Sequence, residues 1–182
     1  MDASGLNLGL SNLASWTMRA SLLLSLLLGA CTTSSCTEPA PPPGTTAVTI
    51  KGRTFFLTPA LDPGSREKGL GEATKIPPDG GMIFVFTNTV PRHFVMRDCP
   101  IPIDVAFLSE AGTVLQWHAM VPEEPRREGE DQLAYEQRLK LYPSGFPARF
   151  AVEVAGGTFG ELGLQPGDQI KFDIAGLKAR AR

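Results

Sequence analysis

From residue 47 onward the apolar positions fall in short runs separated by turn-forming residues every ten or so positions, which is the spacing of strands and not of long helices. Residues 48–50 and 54–57 are rich in β-branched and aromatic side chains, with Lys51-Gly52-Arg53 between them as a hairpin turn. Asp62 followed by Pro63 predicts an N-cap and first helical position, opening a short helix that runs to about Leu70. After Gly80-Gly81, residues 82–86 form a continuous apolar run, expected as a strand buried on both faces. Residues 88–91 predict a turn leading into 93–96. Pro100 and Pro102 exclude a central strand there, and 103–108 reads as the next strand. Ser109-Glu110-Ala111-Gly112 makes a hairpin to 113–120.

The stretch 122–130 is charged and carries two prolines, so it predicts a solvated loop. Residues 131–141 have helical periodicity, with Leu133, Tyr135, Leu139 and Tyr142 partly facing the body. Residues 149–154 alternate cleanly, placing Phe150, Val152 and Val154 on one face. Thr158 and Glu161 have capping-box spacing for a short helix. Pro166-Gly167-Asp168 then turns into a last strand, 169–174, before a tail expected to be disordered. Many short strands with frequent turns predict a mainly β fold (β-rich α+β): a compact antiparallel barrel or sandwich with two or three short peripheral helices.

The N-terminal quarter departs from this pattern. Residues 20–28 are an uninterrupted small and apolar run after Arg19, too short to span a bilayer but suited to a signal-peptide core. The run ends in Leu28-Gly29-Ala30-Cys31, which resembles the bacterial lipobox, with Cys31 the residue acylated. The first 17 residues contain Asp2 and no positive charge, so Met18 is the better start for such a signal. Residues 32–46, with Pro41-Pro42-Pro43-Gly44, read as a tether reaching about 20–25 Å. The expected organisation is a signal peptide at 1–30, a lipidated tether at 31–46, one β-rich domain at 47–176 and a disordered tail at 177–182. By analogy with known lipoproteins, Thr32 after the cysteine suggests the outer membrane, facing the periplasm, in a Gram-negative cell.

Composition narrows the partners. A net charge of −2 with scattered Lys and Arg offers no cationic face for phosphates, so nucleic acid is not an expected partner. Three cysteines are too few for a disulfide framework, and Cys99 is the one within the domain; a bridge to Cys36 is open in an oxidising compartment. The 10 Phe against 2 Tyr point to aromatic residues used in packing.

Several of these pieces, taken in order, carry a resemblance. Arg66 with Gly69-Leu70 looks like an Arg-x-x-Gly-Leu-Met segment, and Gly81 to Phe86 is similar to a Gly-Met-Leu-Phe-Val-Phe run. Phe94-Val95-Met96 followed by Pro102-Ile103-Asp104-Val105-Ala106-Phe107 resembles Phe-Trp-Met … Pro-Leu-Asp-x-x-Phe, and Ala148 to Gly157 with Gly167-Asp168 fits the closing segment. All belong to the domain-of-unknown-function 192 family, which the chain resembles from Arg66 to Asp168. The resemblance implies a small, mostly antiparallel β domain, often exported, with no established activity; it carries a fold and not a function. Val95 stands where Trp is usual, and Cys99 departs from a frequent Asn-Thr pair.

Chemistry-bearing residues concentrate in one region. His93, Met96, Asp98 and Cys99 lie close in sequence, with His118 and Met120 on the following hairpin partner. Imidazole and soft sulfur ligands suit copper or zinc, so His93, Met96, Cys99, His118 and Met120 form a candidate metal set; the alternative is core packing for the sulfurs and edge positions for the histidines. An exposed, acidic Cys99 thiol would be a redox group. Asp104, between Ile103 and Val105, is either a ligand contact or acid–base group, or a carboxylate satisfying the 100–102 turn or pairing with Arg66 or Arg97. Glu153, on the polar face of its strand, is a candidate ligand contact with a cross-strand ion pair as the alternative, and Arg66 is a further candidate ligand contact. Ser144-Gly145 lacks a nucleophile-elbow pattern, and no phosphate-cradling glycine loop precedes a helix. Three readings follow. The first is a lipid-anchored envelope module that binds a partner protein or small ligand around 96–104. The second is soft-metal handling, and the third an enzyme using Asp104.

Overall fold

In the computed structural model, residues 40–182 are described; the expected signal peptide, Cys31, Cys36 and most of the tether lie outside them. No helix among the described residues is long and apolar enough to cross a membrane.

Six strands form one mixed sheet, curled into a half-barrel. They are β1 (Thr46–Ile50), β2 (Arg53–Ala60), β3 (Met82–Phe94), β4 (Ile103–Leu108), β5 (Val114–Met120) and β6 (Tyr142–Ala155). Their spatial order is β1-β2-β3-β6-β4-β5. The expectation of a mainly β domain holds, although the sheet is a half-barrel rather than a closed barrel. One pairing, β2 with β3, is parallel, because the crossover between them carries helix α1 (Pro63–Lys68) and a long loop. Four short helices are present among the described residues: α1, α2 (Gln132–Arg138), α3 (Thr158–Glu161) and α4 (Ile174–Arg180).

Asp62 and Pro63 act as their sequence predicts: the Asp62 side chain accepts from the Ser65 N–H, and the Ser65 hydroxyl accepts from the Asp62 N–H, a closed capping box. Other expectations need correction. Residues 88–91 do not turn the chain; β3 continues through them with register shifts after Val85 and after Pro91. Pro91 is tolerated because it sits at one of these irregularities. Ser144-Gly145 lies within strand, part of the 14-residue β6. Thr158 is not the cap of α3. Gly157 holds that position at φ 88°, a left-handed conformation that a side chain resists, and it makes no side-chain cap bond.

The C-terminal end differs most. Residues 169–171 touch both sheet edges through isolated bridges, Thr49 to Lys171 and Thr113 to Gln169, and no full strand forms. The tail expected to be disordered at 177–182 is largely helix α4, capped by Asp173, with Leu177 buried and the Arg182 N–H donating to the Leu61 carbonyl. Leu177 supplies the apolar contact that the basic surroundings of Lys178, Arg180 and Arg182 conceal in the sequence.

Both faces of the central strands are buried. One face contributes Ile83, Val85, Phe150, Val152 and Val154 to a cluster sealed by Phe159, Leu164, Ile170 and Leu177. The other contributes Phe84, Phe86, Val105, Phe107 and Ala151 to a second cluster with Met96, Cys99, Met120 and Tyr142.

Candidate functional site

The second face is incompletely covered. A cavity of about 690 Å³ opens there, bounded by α1 and residues 69–72 on one side and by the later half of β3 with residues 95–99 on the other. This is the size of a small-molecule site. Its apolar lining includes Phe84, Phe86, Phe94, Met96 and Ile103. Phe94 stacks edge-on against both Phe84 (4.8 Å) and Phe107 (5.2 Å), which fixes this wall to the core behind it.

The two loops that form the mouth are tied together. The Glu72 N–H donates to the Asp98 carbonyl at 3.1 Å, and both residues hold left-handed backbone, φ 65° and 51°. Non-glycine residues in this region carry a conformational cost, and such positions gather where a site must be shaped. Helix α2 braces the second loop: the Asp98 N–H donates to the Tyr135 hydroxyl, and Arg97 pairs with Glu136 at 3.3 Å.

Glu153 lies at the cavity wall on β6 and is 5% exposed. Its carboxyl accepts the Leu70 backbone N–H, and Oε2 has no hydrogen-bond partner. Burial pushes its pKa up to about 8, so the group is mostly protonated at neutral pH. The expected cross-strand ion pair is absent, because alternation along β6 puts Glu153 on a second buried face and not on a solvated one. Two glycines permit this placement. A Cβ at Gly81 would overlap the Glu153 carbonyl oxygen, and one at Gly69 (φ 53°) would sit 3.4 Å from the Phe84 ring and 3.7 Å from Glu153 Oε2.

Two arginines bring positive charge to the same cavity. Arg66 donates from Nη1 to the Val85 carbonyl (3.1 Å) and from Nη2 to the main-chain oxygen of Arg182 (3.0 Å). Arg92 lies over the Phe86 ring at 4.0 Å, and Arg66 approaches the same ring at 5.9 Å. Arg92 is held by the Asn88 carbonyl and side chain, while its Nε is buried without a partner. Burial, and then the neighbouring Arg66 and Arg149 charges, hold its pKa below the usual value, although a guanidinium remains charged at neutral pH.

Six of the residues singled out in the sequence, Arg66, His93, Met96, Asp98, Cys99 and Glu153, therefore line one cavity. The other three do not. Asp104 is fully buried elsewhere: its Oδ2 accepts the Phe159 N–H at 2.8 Å, and the Gly157 N–H also points to it, so it holds the start of α3. Neither the 100–102 turn nor an arginine is its partner. Burial raises its pKa more than these hydrogen bonds lower it. His118 meets the Pro143 carbonyl through Nε2 at 2.7 Å and packs its ring edge-on to Phe107 and Tyr142. Met120 is buried in the second cluster, as are Met96 and Cys99. The Cys99 thiol donates to the Ile101 carbonyl, and burial raises its pKa, the reverse of a reactive thiolate. Among the described residues no three His, Cys, Asp or Glu side chains gather in a metal-binding group.

Arg92, Phe86 and Phe94 were not singled out as site residues. The signal was partial: 84 and 86 share a face, as do 92 and 94, but the register shifts after Val85 and after Pro91 break the parity between the two pairs. The expected turn at 88–91 hid it, because a broken strand carries no parity across the break.

Comparisons with known proteins agree with this fold and leave the chemistry open. No curated protein matches the chain. A solved structure from Novosphingobium aromaticivorans, described as a protein of unknown function, is 25% identical, with a TM-score of 0.58 over 79% of this chain and 99% of its own. Another, from Sinorhizobium meliloti and described as a candidate transcription regulator, is 28% identical, with a TM-score of 0.57 over 71% of this chain and 92% of its own. The sequence profile of the DUF192 family, described as "Uncharacterized ACR, COG1430", matches residues 46–172, and the chain belongs to that family.

Proposed function

We propose that this chain is a lipid-anchored envelope protein whose β domain is a binding module, taking a small ligand in the cavity between α1 and β3. The observation that carries the binding reading is the cavity itself, together with the unpartnered Oε2 of a buried Glu153 on its wall. Most buried polar groups are hydrogen-bonded, and an orphan at the edge of an open space is satisfied by what enters that space. The anchor rests on the lipobox-like residues 28–31 and the Pro-rich stretch after them. A chain acylated at Cys31 and tethered through residues 32–46 would hold the domain close to a membrane surface, where it serves as a capture or accessory module.

A thermal-shift screen of compounds smaller than about 20 heavy atoms tests the binding half, with backbone amide NMR to locate each hit. The expected result is a hit that moves the amides of Leu70, Val95 and Met96 while leaving Ile50 and Leu177 in place. Hits that all map to the sealed face, or no hit at the cavity amides, overturn the reading. The anchor half is tested separately by fractionation: Cys31→Ala should move the protein from membrane to soluble fraction, and an unchanged distribution removes the anchor.

A further inference from the structure

Resting on that reading, we infer that the cavity takes an uncharged molecule, a compact apolar body bearing one hydrogen-bond acceptor that meets the free Oε2 of Glu153. The bonds already made by the surrounding side chains lead to this class.

The cations of the lining are engaged. Arg66 gives Nη1 and Nη2 to main-chain oxygens of Val85 and Arg182, and Asp62 lies near enough to feel its charge. Arg92 gives Nη2 to the carbonyl and side-chain oxygens of Asn88, and its Nε is buried. Lys68 pairs with Glu72, and Arg97 with Glu67 and Glu136. An anion entering here would shed water and meet guanidinium groups already bonded, so its dehydration would go uncompensated. A cation fares no better. The Phe86 ring already carries Arg92 at 4.0 Å and Arg66 at 5.9 Å, and a third positive charge beside them is repelled.

The carboxyls of the lining differ from one another. Glu67, Glu72 and Asp98 have partners, whereas Oε2 of the buried Glu153 has none. Ionised, Glu153 would hold a charge in the interior with one N–H, from Leu70, and no cation beside it. Protonated, it carries no charge and Oε2 becomes a donor. Burial favours the same form, holding the pKa up at about 8. A buried neutral acid of this kind is satisfied by an acceptor, such as a ketone, ester or ether oxygen, and an uncharged molecule brings that oxygen with no charge to dehydrate. The cover over Oε2 is thin, since a side chain on Gly69 would begin 3.7 Å from it and Gly69 has none. The apolar body then lies along Phe84, Phe94 and Met96.

The test uses the full chain in a non-ionic detergent at about pH 6.5 and four probes of similar shape: acetophenone, cumene, benzoate and benzamidine. The first is neutral with an acceptor, the second neutral without one, and the last two carry opposite charges. Free probe is read from a dialysate, so uptake into detergent does not enter, and binding is read from the Leu70, Val95 and Met96 amides. Acetophenone should bind about tenfold or more tighter than benzoate or benzamidine, and about fivefold tighter than cumene. Its infrared carbonyl stretch should fall in frequency on binding. Glu153→Leu should abolish both the preference over cumene and the frequency shift, and Glu153→Gln, which keeps an N–H donor, should retain both. The selectivities and the stretch are measured on the unaltered protein, so a poorly folding variant does not affect them. Benzoate or benzamidine binding as tightly as acetophenone at these amides, or cumene matching it, overturns the class and leaves the cavity reading standing. If all four are silent while a library compound binds there, the class again falls alone. If nothing moves these amides, both readings fall.

Discussion

The two faces of the sheet are made by the same three strands, yet one is sealed and the other is not. On the sealed face β6 presents Phe150, Val152 and Val154, and α3, α4 and residues 164–170 lie over them. On the cavity face the same strand presents Ala151, Glu153 and Ala155, two small side chains flanking one carboxyl. The difference between a core and a site here is one of side-chain size and of what covers it. Backbone geometry is common to both. A strand needs only to exchange large residues for small ones on alternate positions to carry a packed interior on one side and a receptive hollow on the other.

The comparison breaks first on the aromatic residues. Phe150→Ala empties a fully buried position in the sealed cluster and should cost about 3–5 kcal/mol in urea unfolding. Phe94→Ala, on the cavity wall, should cost roughly half of that or less, because its ring already borders open space. Equal losses would mean that the second face is as tightly packed as the first.

Titration of Glu153 sharpens it further. The folded domain holds this proton up to about pH 8, whereas the unfolded chain releases it near its ordinary value of 4.5. Below the unfolded value both states are protonated and the stabilisation is complete. As pH rises toward the folded value, unfolding releases a proton and stability falls. Relative to Glu153→Gln, the protein should lose on the order of 3 kcal/mol between about pH 5 and pH 8, seen as converging or crossing urea midpoints. Parallel curves for the two proteins would show that Glu153 is solvated. The smallest effect lies at Asp104. Asp104→Ala removes the acceptor for the Phe159 N–H and should cost about 1–3 kcal/mol, while Asp104→Asn keeps an acceptor oxygen and should restore most of it. If neither changes the unfolding midpoint, α3 does not depend on that carboxylate.

Which of this was visible in the residues follows from the range of each signal. The strands around 48–57, 82–86 and 103–120 were legible because alternation and turn residues are local. Asp62-Pro63 was legible for the same reason. The continuity of β3 through Pro91 was not, since its ladder is held by β6, more than fifty residues away. Arg66 and Glu153 were legible as candidate ligand contacts, and they do line one cavity. Of the set His93, Met96, Cys99, His118 and Met120, the sulfur-bearing Met96, Cys99 and Met120 do share the second cluster, but as buried packing, while His118 on the edge strand β5 is taken by the Pro143 carbonyl. Asp104 was noticed for the right reason, a carboxylate inside a strand. Its partners come from the turn before α3, which no spacing argument reaches.

The short segment at 169–171 has a consequence for how the molecule is completed. The strands β1 and β5 are the outer members of the sheet, and each would otherwise present unpaired amides and carbonyls to any extended chain nearby. Thr49 exchanges both main-chain hydrogen bonds with Lys171, and on the opposite edge the Val114 N–H donates to the Asp168 carbonyl while Ile170 donates to Gly112. One stretch of chain thus guards both flanks against intermolecular strand pairing. Because that stretch follows all six strands along the chain, a domain in which it has not yet docked has two sticky borders open to a neighbouring strand, and aggregation is most acute in that interval.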